Sequence, residues 1–491
     1  MNPKIVIVGA GASGIAAATK LLEHGYKNLL VLEAENRIGG RIHTIPFGKN
    51  VLDLGAQWCH GVKDNTVYKL ASHLDVLESN TSRYESFRLI KSNGEKVPQD
   101  IIDRLLIIIG EILKNYPDEI ANFKGSLGSF IVDKYQQILQ REENKDIDPE
   151  VASGFLDFFH KYENSIEASD TWYDTSASGY LHYWECDGDH LLNWRDKGYK
   201  TVLDILMKKY PTETENSIDL TDKILLNKSV SKIHWNFGED NLVNIKCTDG
   251  SNYLCDHVIL TVSLGVLKEN YELFFEPKLP NLKKNAIQGL TLGTVDKLYL
   301  EFEKPFWSED FDGYSLMWTK GDLDEIRTMK NSWVEDVFGF YPVDYQPNIL
   351  CGWISGKNAR RMEMCDEEEV KNTCVILLKK FLKDDNLPAP VRIKRTQWFS
   401  NKNFRGSYSF RSIATDALNT CAAHLARPLT NSLGTPVVLF GGEATSEHYY
   451  STVHGAIESG WREADRIRSI YEKKITTINF DCELKADEVN C

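Results

Sequence analysis

The sequence predicts an α/β fold built on a parallel sheet, and three observations carry that expectation. A short, wholly apolar run, Ile5–Val8, leads at once into Gly9, Gly11 and Gly14 arranged as G-x-G-x-x-G, followed by the alanine-rich stretch Ser13–His24 at helical spacing. A second apolar run, Asn28–Glu33, completes a strand, helix, strand order and ends on a carboxylate nineteen residues after Gly14. Near the other end of the chain, Val437–Phe440 and the helical pattern Gly455–Tyr471 repeat the strand-to-helix order.

Each glycine of the first turn has a physical task. Gly9 permits the tight turn, Gly11 lets backbone approach a pyrophosphate, and Gly14 lets the helix pack on the strand. Free N–H groups at the start of the helix, around Ser13, attract phosphate. Glu33 stands where an acid accepts hydrogen bonds from both hydroxyls of an adenosine ribose and repels a 2′-phosphate. Together these residues predict a Rossmann-like dinucleotide site, and they serve NAD and FAD equally well.

At 491 residues the chain exceeds the roughly 250–300 at which a single core stops growing, so two domains, or one with large insertions, are expected. With 42% hydrophobic and 26% charged residues it is globular, which excludes the disordered and fibrous classes. The 57 Lys and Arg against 71 Asp and Glu leave a net charge of −14, a surface that repels nucleic acid and anionic membranes and attracts cations. Neither nucleic acid nor a membrane is therefore an expected partner. The ten cysteines form no CxxC pair and no metal-ligand spacing, so no metal is expected. Met1 runs directly into the strand Lys4–Val8, leaving no room for a signal peptide, and a reduced, cytoplasmic location is expected. The longest apolar cluster, Leu105–Ile109, is far shorter than the ~20 residues of a membrane-spanning helix.

From about residue 97 to 170, apolar and charged positions alternate at helical spacing, interrupted by Pro117 and Pro149, which predicts a helical insertion. Ser229–Trp235, Leu242–Cys247 and His257–Val262 read as strands, with Asp249-Gly250 as a tight turn, and Glu367–Phe381 reads as a helix. The segment after about 475 is polar.

The continuation Glu33-Ala34-Glu35-Asn36-Arg37-Ile38-Gly39-Gly40-Arg41 resembles the segment that follows ribose binding in the flavin-containing amine oxidases. Further segments resemble the same family in the same order: Asp53-Leu54-Gly55-Ala56-Gln57-Trp58-Cys59-His60-Gly61, then Gly293–Leu300, then Gly441–Thr445 with His448–Ala456. Within the family the likeness is greatest to polyamine oxidases of the spermine oxidase and N1-acetylpolyamine oxidase type. The resemblance implies noncovalent FAD held by Gly9, Gly11, Ser13, Gly14, Glu33, Ala34, Arg41, Gly442 and Glu443. It places Val230 at the adenine and Gly55, Ala56, Gln57, Trp58, Trp398, Tyr408, Thr452 and Val453 along the ring. It makes Lys297 the lysine beside flavin N5, where it would hold a water, and gives His60 a hydrogen bond to a substrate nitrogen. Glu185, Tyr408 and Thr452 would join His60 around the substrate.

The implied fold is a discontinuous FAD-binding domain, residues 1–80, 220–295 and 396–475, with an α+β substrate-binding domain built from two insertions, 81–219 and 296–395, and a polar tail, 476–491. The implied reaction is oxidation of spermine, spermidine or their N1-acetylated forms at a secondary amine by oxygen, giving an aminoaldehyde, a shorter amine and hydrogen peroxide. Three departures bear on it. Serine replaces the covalent cysteine in Arg405-Gly406-Ser407-Tyr408, Thr452 stands where monoamine oxidases have a second tyrosine, and His182 stands where relatives have an acid, with Glu185, Asp187 and Asp189 nearby. Another flavin amine or amino-acid oxidase, or a non-catalytic FAD-bearing protein, remains an alternative reading, and neither the polyamine nor the oligomeric state follows from the sequence.

Overall fold

A computed structural model describes residues 2–80, 87–238, 242–308 and 310–488, with side chains to Glu472. The chain divides into two compact units, each assembled from separated segments. The first comprises Met1–Ile42, Lys200–Lys284 and Ala422–Cys491, the second His43–Tyr199 and Asn285–Cys421.

The first unit holds a six-stranded sheet with the strands in the order Leu429–Thr430, Pro436–Phe440, His257–Leu260, Ile5–Val8, Leu29–Leu32 and Ile224–Leu225. All neighbours are parallel except Leu429–Thr430. Ile5–Val8 is buried throughout because it lies between two parallel neighbours, Ile5 opposite both Leu29 and His257, which is why its sequence is continuously apolar. Between the first two strands runs the helix Ala12–Glu23, buried from Ala12 through Thr19. Small residues let it lie close: a Cβ on Gly14 would stand 1.9 Å from the Gly9 carbonyl oxygen. On its other side is the helix Val453–Glu488, where a Cβ on Gly460 would meet the Ser13 carbonyl oxygen at 2.1 Å. Four more strands, Val230–Phe237, Leu242–Cys247, Asn252–Cys255 and Phe275–Glu276, form a second sheet. Asp249-Gly250 makes the tight turn expected there, Gly250 taking φ +86.

A six-stranded sheet also organises the second unit, in the order Arg392–Arg395, Val295–Glu301, Gln346–Ser355, Gly339–Val343, Tyr314–Met317 and Leu89–Lys91. One core, containing Ile102, Leu105, Phe130, Phe155, Phe158 and Phe338, joins the helices Gln99–Asn115, Leu127–Leu139 and Pro149–Glu167 to the sheet. A second core, with Leu298, Leu300, Trp333, Leu350, Ile354 and Phe381, draws in the helices Gly356–Glu363 and Glu367–Leu382. Along Val295–Glu301, Leu298 and Leu300 enter that second core, while Tyr299 enters a smaller one with Leu52, Leu54, Trp398 and Phe404.

Several expectations are corrected. Residues 43–80, 285–295 and 396–421 belong to the second unit, because the segment after Ile42 pairs with itself as the strands Thr44–Phe47 and Asn50–Asp53 and packs against Tyr299. Residues 200–219 belong to the first unit, with Leu203 under Gly39. The expected boundary at residue 80 abuts 81–86, which lie outside the described residues, as do 489–491 of the expected tail. The tail itself is helical as far as Glu488, since no glycine or proline follows Gly460 to stop the helix. Pro117 and Pro149 do not interrupt helices but begin them, where a missing N–H costs nothing. Among the described residues, no helix is long and apolar enough to cross a membrane.

Close helix packing gives a test with two opposite signs. Gly460→Ala should destabilise the protein by about 1–3 kcal/mol through overpacking against Ser13. Gly110→Ala, on a helical glycine with no atom near its missing Cβ, should stabilise it by about 0.5–1 kcal/mol. Chemical denaturation of both variants checks the pair.

Candidate active site

In the first unit the glycine turn, the strand ending before Glu33 and the Gly39-Gly40-Arg41 turn converge. Glu33 is 6% exposed, and its Oε2 accepts the Ala10 N–H at 2.6 Å while Oε1 accepts the Glu35 N–H at 2.8 Å. Burial lifts this carboxyl above its ordinary value, and the two backbone donors oppose the rise. Glu33 thereby clamps the first turn to the end of the second strand, with lone pairs left to accept from a diol. Gly9 takes φ +106, and the Gly39 N–H donates to the Ala10 carbonyl at 2.8 Å, so the two glycine turns lie against each other. A Cβ on Gly40 would stand 3.2 Å from the Gly11 Cα. The helix Ala12–Glu23 begins at Gly11 with no side-chain cap and no acid in its first turn. Its leading N–H groups remain available to an anion.

Arg41 does not stand alone: its Nη1 donates to Glu443 Oε1 at 2.9 Å, and Glu443 Oε2 accepts the Ser451 N–H at 2.8 Å. Gly442, at φ +106, donates its N–H to Ser13 Oγ at 3.0 Å and to Ser459 Oγ at 2.8 Å. The Ser13 hydroxyl is thus 4% exposed and committed to this turn, leaving its backbone N–H as the group that can meet a phosphate. Thr452 accepts the Gly455 N–H at 3.0 Å and donates to the Tyr449 carbonyl at 2.7 Å, capping the helix that starts at Val453. Ala34 is half-buried beside Glu33, and Val230 is half-buried at the head of its strand. Sequence reasoning missed Arg37, whose guanidinium donates to the carbonyls of Gly40, Ile42 and Ile38 at 2.8, 3.2 and 3.3 Å and so shapes the second glycine turn.

In the second unit Lys297 is 5% exposed, on a strand hydrogen-bonded on both sides, not at a solvated edge. Its Nζ donates to the Asp53 carbonyl at 2.9 Å, the Gly55 carbonyl at 2.8 Å and Gln57 Oε1 at 2.7 Å. It also lies 4.9 Å from the centre of the Trp353 ring, on which Trp58 stacks at 5.8 Å and 19°. Burial brings the amine down to about 8. All three ammonium protons are engaged by these acceptors. A water must exchange with one acceptor, and Gln57 is the side chain among them. Ala56 is half-buried within this same loop.

His60 is exposed, and its Nδ1 donates to the His190 carbonyl at 2.8 Å, leaving Nε2 as the free ring nitrogen. Tyr408 donates its hydroxyl to the Ser165 carbonyl, and Trp398, 8% exposed, meets the Phe404 ring edge-on at 5.3 Å. The Ser407 hydroxyl accepts the Val295 N–H and donates to the Val295 carbonyl, both at 2.8 Å, so it is a strand tie. Glu185 is exposed on a loop.

Two buried acids went unread. Glu163 and Glu167 sit 3% and 8% exposed on the helix Pro149–Glu167, and Glu163 Oε1 and Glu167 Oε2 receive no hydrogen bond. Burial pushes Glu163 up to about 8, with the charges of Glu167 and Glu185 adding, and pushes Glu167 up to about 7 against the pull of Arg411. The signal was present in the sequence: Val151, Phe155, Phe159, Glu163 and Glu167, each four residues after the last, form one stripe, apolar until its last two members.

Over residues 12–468 the chain matches the family described as flavin containing amine oxidoreductase. It is 30% identical over 506 residues to the peroxisomal N(1)-acetyl-spermine/spermidine oxidase of Homo sapiens, covering 96% of each chain. To polyamine oxidase 1 of Zea mays it is 26% identical, covering 97% of this chain and 92% of the relative. Its fold is shared with a putrescine oxidase solved with putrescine bound, at TM-score 0.68 and 20% identity, covering 96% of this chain and 99% of that one.

Glu163 provides a pH test. Its folded value, about 8, lies above the ordinary 4.5, so the protonated acid contributes stability that is complete below pH 4.5 and lost as pH rises through 8. Glu163→Gln should flatten that fall and stabilise the protein at pH 8 by on the order of 2 kcal/mol. Thermal melts from pH 4 to 9 read the difference.

Proposed function

The chain belongs to the flavin containing amine oxidoreductase family, and on that premise we propose that it is an FAD-dependent polyamine oxidase. The observation that carries the reading is the presence, in one unit, of the buried Lys297 cradle and the buried acids Glu163 and Glu167. A polyamine is a chain of methylenes with several ammonium groups, and buried acids held near neutrality suit its cations as they suit few neutral amines. The human relative is named for acetylated spermine and spermidine and the maize relative for polyamines, which supports the same substrate class here.

Gly9, Gly11, Gly14, Glu33, Ala34, Arg41, Val230, Gly442 and Glu443 fit the dinucleotide part of FAD. Their glycine turns lie against each other, an uncapped helix start faces an anion, and Glu33 keeps acceptor capacity. Thr452, Val453, Gly55–Trp58, Trp398 and Tyr408 keep the ring-side role that the family resemblance gives them. Bound flavin supplies the acceptor for a hydride from the carbon beside the reacting nitrogen, and oxygen takes the electrons onward as hydrogen peroxide. Water then splits the imine into an aminoaldehyde and a shorter amine.

For the protein the work is to orient the methylene, exclude water and keep the reacting nitrogen neutral while the other nitrogens stay charged. His60 Nε2 is free to accept a hydrogen bond from substrate. Lys297, at about 8, exchanges a proton close to physiological pH once Gln57 yields its contact. Ser407 is locked to the Val295 backbone and is no thiol, which supports noncovalent flavin. The cytoplasm expected from the sequence is retained as the proposed location, while the human relative's name places that protein in the peroxisome.

Peroxide release should follow addition of spermine, spermidine or their N1-acetyl forms. Release confined to a monoamine or an L-amino acid would overturn the polyamine reading, and release with none of them would leave only an FAD-bearing protein. Lys297→Met should slow flavin reduction or reoxidation by about a hundredfold in stopped flow. Denaturation should free the same amount of flavin from this variant as from the wild type.

A further inference from the structure

On the face of the Val295–Glu301 strand opposite Lys297 lies Asp296, with no exposed surface. Its Oδ1 accepts the Thr396 hydroxyl at 2.6 Å and the Trp398 N–H at 3.4 Å, and its Oδ2 receives no donor. Beside it lies another carboxyl, that of Glu363 at the end of the helix Gly356–Glu363, which holds the next N–H along the chain, that of Phe399. Glu363 is 3% exposed and already takes three donors. Oε1 accepts the Phe399 N–H at 2.9 Å, and Oε2 accepts the Ser400 N–H at 2.6 Å together with the Ser400 hydroxyl. Glu363 thus offers its lone pairs to three donors, one more than Asp296 takes. Two buried carboxyl groups that grip adjacent N–H groups of one loop repel each other if both are charged.

Resting on the proposed amine oxidation, we propose that Asp296 and Glu363 share one proton and act as a positioning pair that fixes the Thr396–Ser400 loop, with Trp398 on it, against the strand of Lys297. The proton sits on Asp296 Oδ2 and is donated to Glu363, turning a repulsion into a hydrogen bond. Asp296 then holds Thr396 and Trp398 while Glu363 holds Phe399 and Ser400, so one proton joins the grips on four residues of a five-residue loop. The loop is tied to Lys297 itself: Thr396 Oγ1 accepts the Lys297 N–H at 2.8 Å, and the Thr396 N–H donates to the Lys297 carbonyl at 3.0 Å. Burial and the Glu363 charge both hold the Asp296 carboxyl well above the usual carboxylate range. The other ionisable groups near the pair keep their own partners. Lys297 points to the opposite face, Tyr408 donates to Ser165, and Arg360, which feels Glu363, forms its ion pair with Asp170.

The test uses the flavin-loaded protein and its Asp296→Asn, Asp296→Ala and Glu363→Gln variants. Infrared spectra of the wild type should contain a buried protonated-carboxyl band, unchanged from pH 6 to 9, that Asp296→Asn removes. In Asp296→Asn the amide keeps both an acceptor and a donor, so flavin reduction and KM should match the wild type. Asp296→Ala should retain flavin but reduce it between about 10- and 100-fold more slowly, the scale of a misplaced reacting group. Glu363→Gln removes the neighbouring charge and should bring a new ionisation into the pH profile of flavin reduction. No band lost in Asp296→Asn, or equal damage from Asn and Ala, would overturn the shared proton. Should Asp296→Ala fail to fold, the Asn spectrum and the Gln pH profile still decide. If no amine is oxidised at all, the functional reading fails while the infrared comparison still tests the proton.

Discussion

An ammonium group buried in the interior of a sheet must find three acceptors, and much of the second unit is arranged around that requirement. Lys297 obtains them from the Asp53 and Gly55 carbonyls and from Gln57, so the segment after the Asn50–Asp53 strand has to pass under its side chain. Tyr299, two residues on and on the same face, donates to the same Asp53 carbonyl at 2.7 Å. The Asp53 carboxylate then turns away to accept the Thr44 hydroxyl and the Tyr199 N–H, carrying the order outward to both ends of the first segment of that unit. Removing one partner of such a group leaves buried polarity unmatched, which costs several kcal/mol. The depressed basicity of the amine is the remainder of that tension, and it is also what makes the group chemically useful near neutrality.

The same unit holds acids displaced the other way. Glu163, Glu167 and Asp296 are all lifted by burial, and Tyr408 is raised by burial and by two of those acids. Hydride removal requires one neutral nitrogen in a molecule whose other nitrogens carry charge. A protein interior in which lysine and carboxyl groups both titrate near neutrality can meet those two demands on a single substrate. In the first unit the buried acids are matched: Glu33 is held by backbone donors, Glu443 is balanced by Arg41, and Glu463 is balanced by Arg462 and Arg466.

Local features were legible in the sequence. The glycine turn, the helix behind it and the acid at the end of the second strand depend on short spacings, and they stand where those spacings put them. Lys297 was named from resemblance, yet its partners were not, because the Asp53–Gln57 backbone lies some 240 residues away in the chain. Glu163 and Glu167 were passed over since a charged residue on a helix is normally on its solvated face, and only their continuation of the Val151–Phe155–Phe159 stripe marked them as buried. Arg41 was named for the cofactor, yet its pairing with Glu443 was not, since that pairing spans 402 positions. Pro117 and Pro149 were read as interruptions because a proline looks alike from either side of a helix boundary.

The Ser13, Ser459 and Gly442 hydrogen bonds join the first helix of the chain to one that begins at Val453. On a ribosome the two serines are made 446 residues apart, on the order of 20–90 s of translation. The alanine-rich Ala12–Glu23 helix emerges early with an apolar flank meant for a neighbour that does not yet exist. Until the helix beginning at Val453 has been made, that flank lacks the partner that packs on it in the folded chain.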